Sequence, residues 1–394
     1  MNGLVAADRT PHPGLLALKH QMQPLKAALE DNALVLTNRF DFTDLSTAAT
    51  VHWQRLLDGN AVESGTLDIP ATPPGARARL ELPAEAMASN DDGEQFLTLS
   101  YRTRADAPFI DKGFEIGWDQ FRLSGSWAAD APMPGAAPEV VTDSDQIQVS
   151  GKGWHMSFSK QTGRLDEWVF EDMPLANGAR PNLSRATTDN DRGAGYGSDR
   201  DGPLSDLDQW NAISDDWKPE VSVRSLKENG PVQVIADGPL ANDRAMLSIV
   251  YDVHPDGSLE VSVNYRAKDQ LPALPRVGML WTLDASLDRI RWYGPGPGPT
   301  YSDRNFERIG VYETTLMEDW VDYSRPQENG NKTGVRWMQL TDSKGNGLLV
   351  QSVGDVPLSC NPLPWNPARI EATDYSWQLP APRAAFLNID LAQM

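Results

Sequence analysis

The sequence has one cysteine, Cys360, among its 394 residues, so no disulfide can form within the chain. A lone cysteine is typical of a reducing compartment, and we therefore expect a cytoplasmic protein. The first residues lack the basic start and apolar run of a signal peptide. No apolar run approaches the ~18 residues of a membrane-spanning helix. We therefore expect no membrane association.

Basic residues are also scarce. Lys and Arg number 35 against 55 Asp and Glu, which gives a formal net charge of −20. Because phosphate binding needs a basic face, this balance argues against nucleic acid and anionic membranes as partners. An acidic surface mainly keeps a protein soluble.

Several site motifs are missing as well. No two histidines lie four residues apart, so a zinc site is not indicated. The sequence contains no Gly-x-Ser-x-Gly nucleophile motif and no phosphate-binding loop. The Gly-Pro repeat at residues 294–298 opens no helix, which argues against dinucleotide binding. The histidines are His12, His20, His52, His155 and His254.

The hydrophobic pattern predicts an all-β chain with two sandwich domains. One helix is predicted over residues 14–28, limited or split by Pro24. From residue 33 onward, short alternating runs between Pro and Gly clusters are typical of an immunoglobulin-like β-sandwich. After an Ala-, Pro- and Gly-rich linker, further strands predict a large antiparallel sandwich of two extended sheets. The predicted boundaries are 1–28 for the tail and helix, 29–124 for the first sandwich, 125–142 for the linker and 143–394 for the second sandwich.

The stretch from Trp292 to Trp337 is dense in Gly, Pro and polar residues. Alternating Gly and Pro at residues 294–299 remove backbone donors, which predicts an irregular loop without helix or strand pairing. Ordering such a loop costs conformational entropy, so loops of this kind are usually functional or form interfaces.

A second polar stretch contains Asp189, Asn190 and Asp191, followed by Gly193. The simplest interpretation is a flexible, solvated acidic loop. A calcium site is the alternative, because carboxylates cluster near glycine. The spacing misses the calcium-loop pattern and lacks its terminal glutamate, so calcium is not favoured.

Both stretches resemble the C-terminal domain of β-galactosidases of glycoside hydrolase family 2. The family pattern Tyr-x-x-Pro-Gln-Glu-Asn-Gly-Asn-x-x-x-Val-Arg-Trp is matched in full from Tyr323 to Trp337. The pattern Gly-x-Gly-Pro-x-Glu-x-Tyr-x-Asp-Arg is matched up to Arg304, except that Pro299 replaces the glutamate. The acidic stretch has Thr187 where the family has proline.

The resemblance implies a fold and roles for particular residues. The second sandwich is expected to be a galactose-mutarotase-like super-sandwich. Gly193 is expected to hinge a mobile loop beside the sugar pocket, formed with Asp189, Asn190 and Asp191. The residues expected to organise the other loop are Tyr301, Asp303, Arg304, Glu328, Asn329 and Arg336.

The resemblance also implies cofactors. Asn2 matches an asparagine that binds sodium in the family, which implies a partial sodium site here. For the complete enzyme it implies sodium and magnesium, whereas this chain alone is expected to require no cofactor.

No catalytic residue is assigned. A retaining glycosidase needs two carboxylates ~5–5.5 Å apart on a rigid scaffold. In this family both lie on a barrel, which takes ~250 residues of alternating strands and helices. This sequence has no such alternation. We therefore predict that Glu328 is a buried structural carboxylate, paired with Arg304 or Arg336.

Residues 386–394 match those that directly precede the family's sugar-stacking tryptophan and closing strand. We therefore expect the second sandwich to lack its last strand. The consequence would be an open sheet edge near residues 385–394, or a second chain covering that edge.

The resulting hypothesis is a C-terminal segment of a β-galactosidase, an enzyme that hydrolyses terminal non-reducing β-D-galactosides such as lactose. The segment would support the active site and assembly, and would be weakly active or inactive alone. Expected partners are galactosides and a barrel-containing chain or further copies of the chain. Two alternatives stay open: a stand-alone galactoside-binding module, and an aldose 1-epimerase. The latter usually needs a His–Glu pair, and His155 and His254 have no evident Glu partner in the sequence.

Overall fold

The computed structural model describes residues 3–88, 93–193, 209–210, 213–214, 216–227, 230–269, 271–354 and 356–393. These residues form antiparallel sheets with only short helices between them. None of the helices is long and apolar enough to span a membrane in this part of the chain. The helices are α1 (Pro13–Gln21), α2 (Leu45–Ala48), α3 (Ala84–Met87), α4 (Asp189–Gly193), α5 (Leu316–Asp319) and α6 (Pro367–Glu371), with a 3₁₀ turn at Ser376–Gln378.

The first helix is shorter than predicted. It ends at Gln21, and the segment Leu25–Glu30 is a strand. Pro24 cannot donate a helical hydrogen bond. The next residues alternate instead, with Leu25 and Ala27 buried and Lys26 exposed. The prediction of helix up to residue 28 is therefore wrong, and the first sandwich begins at Leu25.

The first domain is a two-sheet sandwich, as predicted. One sheet has the order β1-β2-β5 and the other β4-β3-β6-β7. Alternate residues point into a shared core that includes Leu34, Trp53, Leu99 and Tyr101. The strands are β1 (Leu25–Glu30), β2 (Ala33–Asn38), β3 (Ala49–Leu57), β4 (Asn60–Asp68), β5 (Arg77–Glu81), β6 (Gln95–Thr103) and β7 (Glu115–Ser124).

The second domain contains a nine-stranded sheet with the order β20-β23-β24-β17-β12-β11-β10-β9-β8. Its first strand begins at Glu139, so the last four residues of the predicted linker belong to the sheet. The strands are β8 (Glu139–Thr142), β9 (Gln146–Gly151), β10 (Trp154–Ser159), β11 (Leu165–Phe170), β12 (Met173–Asn182), β17 (Arg276–Leu283), β20 (Lys332–Val335), β23 (Leu358–Leu363) and β24 (Ala385–Gln393).

Two four-stranded sheets share the core of this large sheet. Trp281 of the nine-stranded sheet belongs to one buried cluster with Tyr251 and Trp292 of the smaller sheets. The domain is therefore an all-β super-sandwich. One small sheet has the order β13-β14-β15-β16, with β13 (Glu220–Ser225), β14 (Val232–Leu240), β15 (Ala245–Val253) and β16 (Leu259–Ala267). The other has the order β19-β18-β21-β22, with β18 (Arg289–Gly296), β19 (Arg308–Thr315), β21 (Trp337–Thr341) and β22 (Gly347–Gln351).

The Gly-Pro repeat is partly strand, contrary to the prediction of an unpaired loop. Pro295 pairs with Ile309 of β19 at the end of β18. The pairing of β18 with β21 stops at Tyr293, so beyond this point β18 has a partner on one side only. Proline is tolerated on such an edge because no ladder hydrogen bond is required of its nitrogen.

The expected open edge at residues 385–394 is also absent from the described chain. Strand β24 lies between β23 and β17, in the interior of the nine-stranded sheet. That prediction is wrong because β24 pairs with strands distant in sequence on both sides.

An ion pair joins the two sandwiches. The Glu94 carboxylate accepts hydrogen bonds from Arg336 at 2.6 and 2.8 Å and from the Tyr293 hydroxyl at 2.7 Å. Burial acts to raise the pKa of Glu94, but the hydrogen bonds from Arg336 and Tyr293 outweigh it and hold that pKa below its ordinary value. Arg336 was expected to organise the loop between Trp292 and Trp337. Its contact with Glu94 makes it a domain-interface residue instead.

We expect Arg336→Met to destabilise the chain by about 3 kcal/mol, since it leaves the buried Glu94 carboxylate without its main partner. Combining it with Glu94→Gln should cost less than the sum of the two single changes. Urea unfolding followed by tryptophan fluorescence measures both. The exposed pair Arg79–Glu81 is the control, because Arg79→Met should cost less than about 1 kcal/mol. Additive effects of Arg336→Met and Glu94→Gln would contradict this coupling.

Candidate functional site

Most of the predicted site residues line one cavity, which has a volume of about 700 Å³. Four separate segments line it: the N-terminal segment, the start of α4, the β18–β19 loop and the α5–β20 loop. The lining residues include Gly3, His12, Arg185, Asp189, Asn190, Asp191, Tyr301, Asp303, Arg304, Tyr323, Gln327, Glu328 and Asn329. Tertiary structure thus brings together residues that are more than 300 positions apart.

In the α5–β20 loop, side-chain amides make the backbone hydrogen bonds that a helix or strand would otherwise make. The Asn329 amide pairs with both the N–H and the carbonyl of Val321, at 3.0 and 3.3 Å. Asn331 donates to the Thr300 carbonyl at 2.8 Å, and the Thr300 N–H donates back to the Asn331 carbonyl at 2.7 Å. These contacts fix the loop internally and against the β18–β19 loop, which satisfies backbone groups that no strand pairs.

Glu328 is the buried anchor of this loop. Its carboxylate accepts a hydrogen bond from Arg276 of β17 at 2.5 Å and one from Gln393 of β24 at 2.9 Å. Both the Glu328 and Arg276 side chains are fully buried. The predicted role as a structural carboxylate is supported by this geometry, but the predicted partners Arg304 and Arg336 are wrong.

A second carboxylate lies next to the same arginine. Asp390 of β24 is fully buried, 3.7 Å from the Arg276 Nε. Burial raises the pKa of Asp390 to about 7, since the opposing charge of Arg276 is shared with Glu328, which itself acts to raise that pKa. Burial and then the charge of Glu328 also raise the pKa of the Tyr301 phenol above its ordinary value.

The start of α4 is held by two polar contacts. Arg185 binds Asp191 through two hydrogen bonds of 2.7 and 3.2 Å. Burial acts to raise the pKa of Asp191, but the hydrogen bond and charge of Arg185 outweigh it and keep that pKa below its ordinary value. Asp189 and Gln327 exchange hydrogen bonds of 2.9 Å each, which fastens α4 to the α5–β20 loop.

The remaining predicted residues occupy different places. Asp303 lies exposed on the rim. Arg304 lies 5.8 Å from the centre of the Tyr301 ring and exchanges backbone hydrogen bonds with Tyr301. Gly193 is the last residue of α4. Asn2 lies outside the described residues, so the sodium site stays a prediction.

Three contributors to the site were missed from the sequence. Arg276 and Gln393 lie at the ends of apolar strands, and His12 packs edge-on against Tyr323 with a centroid distance of 5.1 Å. An arginine at the start of a largely apolar run, residues 276–283, was the available signal for Arg276. Nothing in the local sequence indicated its partner.

The carboxylates at the cavity are mostly committed to structural contacts. Asp191, Asp189 and Glu328 each hold a neighbouring segment in place. Across the described part of the chain, no three His, Cys, Asp or Glu side chains form a cluster suited to a metal ion. The cavity can present polar groups to a polyhydroxylated ligand. Its charged side chains hold the lining segments in position.

His155 and His254 each have a Glu nearby, contrary to the prediction from the sequence. His155 lies 3.3 Å from Glu167, with both side chains well exposed on the sheet surface. His254 lies 3.9 Å from Glu260, beyond hydrogen-bond distance. Neither histidine lines the cavity described above.

Comparison with known proteins places the chain in a family. The family model described as "Beta galactosidase small chain" matches residues 150–394, and that described as "Beta-galactosidase, domain 4" matches residues 34–124. The fold and these matches define β-sandwich domains of the kind found in β-galactosidases. The chain belongs to the β-galactosidase family.

The relatives are considerably longer than this chain. A β-galactosidase of Priestia megaterium is 31% identical over 405 residues, which cover 100% of this chain and 38% of that protein. One of Lactobacillus delbrueckii subsp. bulgaricus is 30% identical over 396 residues, covering 96% of this chain and 36% of that protein. The chain thus spans less than two-fifths of these relatives.

Solved structures give a weaker similarity. The match to a putative aldose 1-epimerase from Escherichia coli K12 covers 65% of this chain and 89% of that protein's chain. Its sequence identity is 11% and its TM-score is 0.35. Similarity of this size carries no argument about the reaction.

Stability should depend on the ionisation of Asp390. The unfolded chain ionises this residue near pH 4, whereas the folded chain keeps it protonated up to about pH 7. Wild type should therefore lose stability relative to Asp390→Asn as the pH rises from 4 to 7, by up to about 4 kcal/mol.

Urea unfolding of both proteins at pH 4 and pH 7.5 measures this difference. The exposed Asp303→Asn is the matched control and should follow wild type at both values. An Asp390→Asn variant whose stability parallels wild type across this range would contradict the prediction.

Proposed function

We propose that this chain is the supporting part of a β-galactosidase that hydrolyses terminal non-reducing β-D-galactosides such as lactose. The carrying observation is that β-galactosidases match the whole chain while it spans only 38% of the Priestia megaterium relative. The catalytic carboxylates are proposed to lie on polypeptide outside these residues.

The role of the chain in this proposal is to form a wall of the substrate pocket. The support is the cavity at residues 185–191, 299–304 and 323–329, where the buried carboxylates of Asp191 and Glu328 are paired with Arg185 and Arg276. A wall built from buried ion pairs and amide contacts holds its shape, and a wall of fixed shape positions a substrate without taking part in bond cleavage.

Further parts of the proposal concern ions, partners and location. Asn2 is proposed to give one oxygen to a sodium ion whose other ligands come from the barrel-containing polypeptide, and magnesium belongs to the complete enzyme. The working partner is a barrel-containing chain, or further copies within an oligomer. A cytoplasmic location is proposed from the single cysteine. The family matches do not favour a stand-alone sugar-binding module or an epimerase.

Mixing experiments test the supporting role. The isolated chain should hydrolyse a chromogenic galactoside weakly or not at all. Hydrolysis should appear when the chain is mixed with the barrel-containing remainder of the Priestia megaterium relative. Enzyme-like turnover by the isolated chain would sink the proposal, as would a stable complex of the two polypeptides without hydrolysis.

Gln327→Leu should lower kcat/KM of the mixed enzyme by about tenfold, because it removes the two hydrogen bonds that hold α4 beside the cavity. Co-purification of the two polypeptides should be unchanged. The matched control is Gln54→Leu on the exposed face of β3, which should leave kcat/KM as it is. Equal activities of the two variants would show that the position of α4 is irrelevant to the reaction.

A further inference from the structure

A cluster of buried charges borders the cavity and contains more acidic than basic groups. Two arginines, Arg185 and Arg276, face the carboxylates of Asp191, Glu328 and Asp390. Arg185 donates two hydrogen bonds to Asp191, and Arg276 forms the ion pairs with the other two carboxylates. A buried negative charge without its own partner is strongly unfavourable. One of the two carboxylates that share Arg276 must therefore be neutral or leave the interior.

Arg276 holds one of these carboxylates closely and the other loosely. Its Nη2 donates to Glu328 Oε1 at 2.5 Å, whereas its Nε lies 3.7 Å from Asp390 Oδ2, beyond hydrogen-bond distance. Among the described residues, neither oxygen of Asp390 has a hydrogen-bond partner, and neither do Nε and Nη1 of Arg276. A shift of about 1 Å would bring Nε within hydrogen-bond distance of Asp390. Arg276 can therefore exchange one carboxylate for the other with little movement.

The two carboxylates differ in their freedom to move. Asp390 lies on β24, an interior strand, and its Oδ1 lies against Gly278 of β17, where a Cβ atom would overlap it. Glu328 lies on the irregular α5–β20 loop and lines the cavity. In the described chain its carboxylate accepts hydrogen bonds from Arg276 and Gln393. Because a loop opens at lower free energy than an interior strand, Glu328 is the carboxylate that can leave.

We propose that Asp390 is a positioning residue of the cavity and acts through Arg276. While the Asp390 carboxyl group is protonated, Arg276 holds Glu328 and thereby the α5–β20 loop. When Asp390 ionises, Arg276 turns to Asp390, and Glu328 moves with its loop toward the cavity. Burial raises the pKa of Asp390 to about 7, so this change takes place close to neutral pH.

Charged and titratable groups face Asp390 from each neighbouring element. They are Arg276 of β17, Glu328 of the α5–β20 loop, Arg185 after β12 and Cys360 of β23, with Lys332 of β20 beside Cys360. Arginine stays charged across the whole range of pH in which proteins are folded. Burial raises the pKa of the Cys360 thiol and of the Tyr301 phenol beside Glu328 well above their ordinary values. Asp390 is therefore the group whose charge changes near neutral pH.

Two backbone amides report the position of the loop. The Val321 N–H donates to the Asn329 side chain at 3.0 Å, and the Asp189 N–H donates to the Gln327 side chain at 2.9 Å. Both acceptors are sequence neighbours of Glu328. Movement of Glu328 with its loop therefore breaks both hydrogen bonds and exposes the two amides to exchange with solvent.

Amide hydrogen exchange of the isolated chain at pH 5.5 and pH 8.5 tests the proposal. After correction for the intrinsic effect of pH, protection of the Val321 and Asp189 amides should be about tenfold lower at pH 8.5 in wild type. Asp390→Asn cannot ionise and should show equal protection at both pH values. The matched control Asp237→Asn, on the exposed face of β14, should follow wild type. A change caused by His12, which lines the same cavity, would persist in Asp390→Asn.

A second variant tests whether the two carboxylates share Arg276. The ionisation of Asp390 is followed by the carboxyl ¹³C NMR signal of labelled aspartate, which is assigned by its absence from Asp390→Asn. Glu328→Gln leaves Arg276 to Asp390 alone and should lower the midpoint of this ionisation by about one pH unit or more. An unchanged midpoint would show that Arg276 is not shared and would overturn the proposal.

The consequence for hydrolysis rests on the proposed function. Between pH 6.5 and pH 8.5 the mixed enzyme should lose about tenfold more kcat/KM with wild type than with Asp390→Asn. The loss should arise mainly from a higher KM, because the loop forms the wall and carries no reacting group.

Three further results would overturn the inference. They are pH-independent protection of Val321 and Asp189 in wild type, an equal loss of protection in Asp390→Asn, and an equal loss of kcat/KM in both mixed enzymes. Hydrogen exchange and NMR use the isolated chain and require no hydrolysis. Failure of the proposed function is therefore distinguishable from failure of this inference.

Discussion

The buried pair of Arg276 and Glu328 is the contact on which the cavity depends. Arg276 comes from β17, in the interior of the nine-stranded sheet, and Glu328 comes from an irregular loop. Neither charge can stay in the interior without the other, because an isolated buried ion is far less stable than a solvated one. The loop is therefore held at one position over the sheet. Gln327 and Asn329, the neighbours of Glu328, then reach α4 and Val321.

The same rule operates at the boundary between the two sandwiches. Glu94 precedes a strand of the first sandwich, and Arg336 precedes a strand of the second. Each side chain would be costly to bury alone, so their contact fixes how the domains meet. Asp390 differs from these residues, because it is buried without an arginine of its own. It is a second acid beside one arginine already engaged by Glu328, and burial therefore favours its protonated form.

Local sequence features predicted the strands well and their partners poorly. The short alternating runs from residue 33 onward predicted the strands of the first sandwich, because period-two hydrophobicity depends only on neighbouring residues. The helix predicted up to residue 28 failed because Leu25 and Ala27 pack into a sheet core. Pro295 lies in a strand because β18 has a partner on only one side there. In both cases tertiary packing outweighed local propensity.

The sequence by itself determined the all-β class, the two sandwiches and the family, since period-two hydrophobicity and the Gln-Glu-Asn-Gly-Asn motif are local properties of the chain. It also indicated that Glu328 is structural. Only the tertiary structure decided that Glu328 pairs with Arg276, that Arg336 belongs to the domain interface and that β24 is an interior strand. These are contacts between segments distant in sequence, and the pattern along one strand does not encode which strand or side chain it will meet.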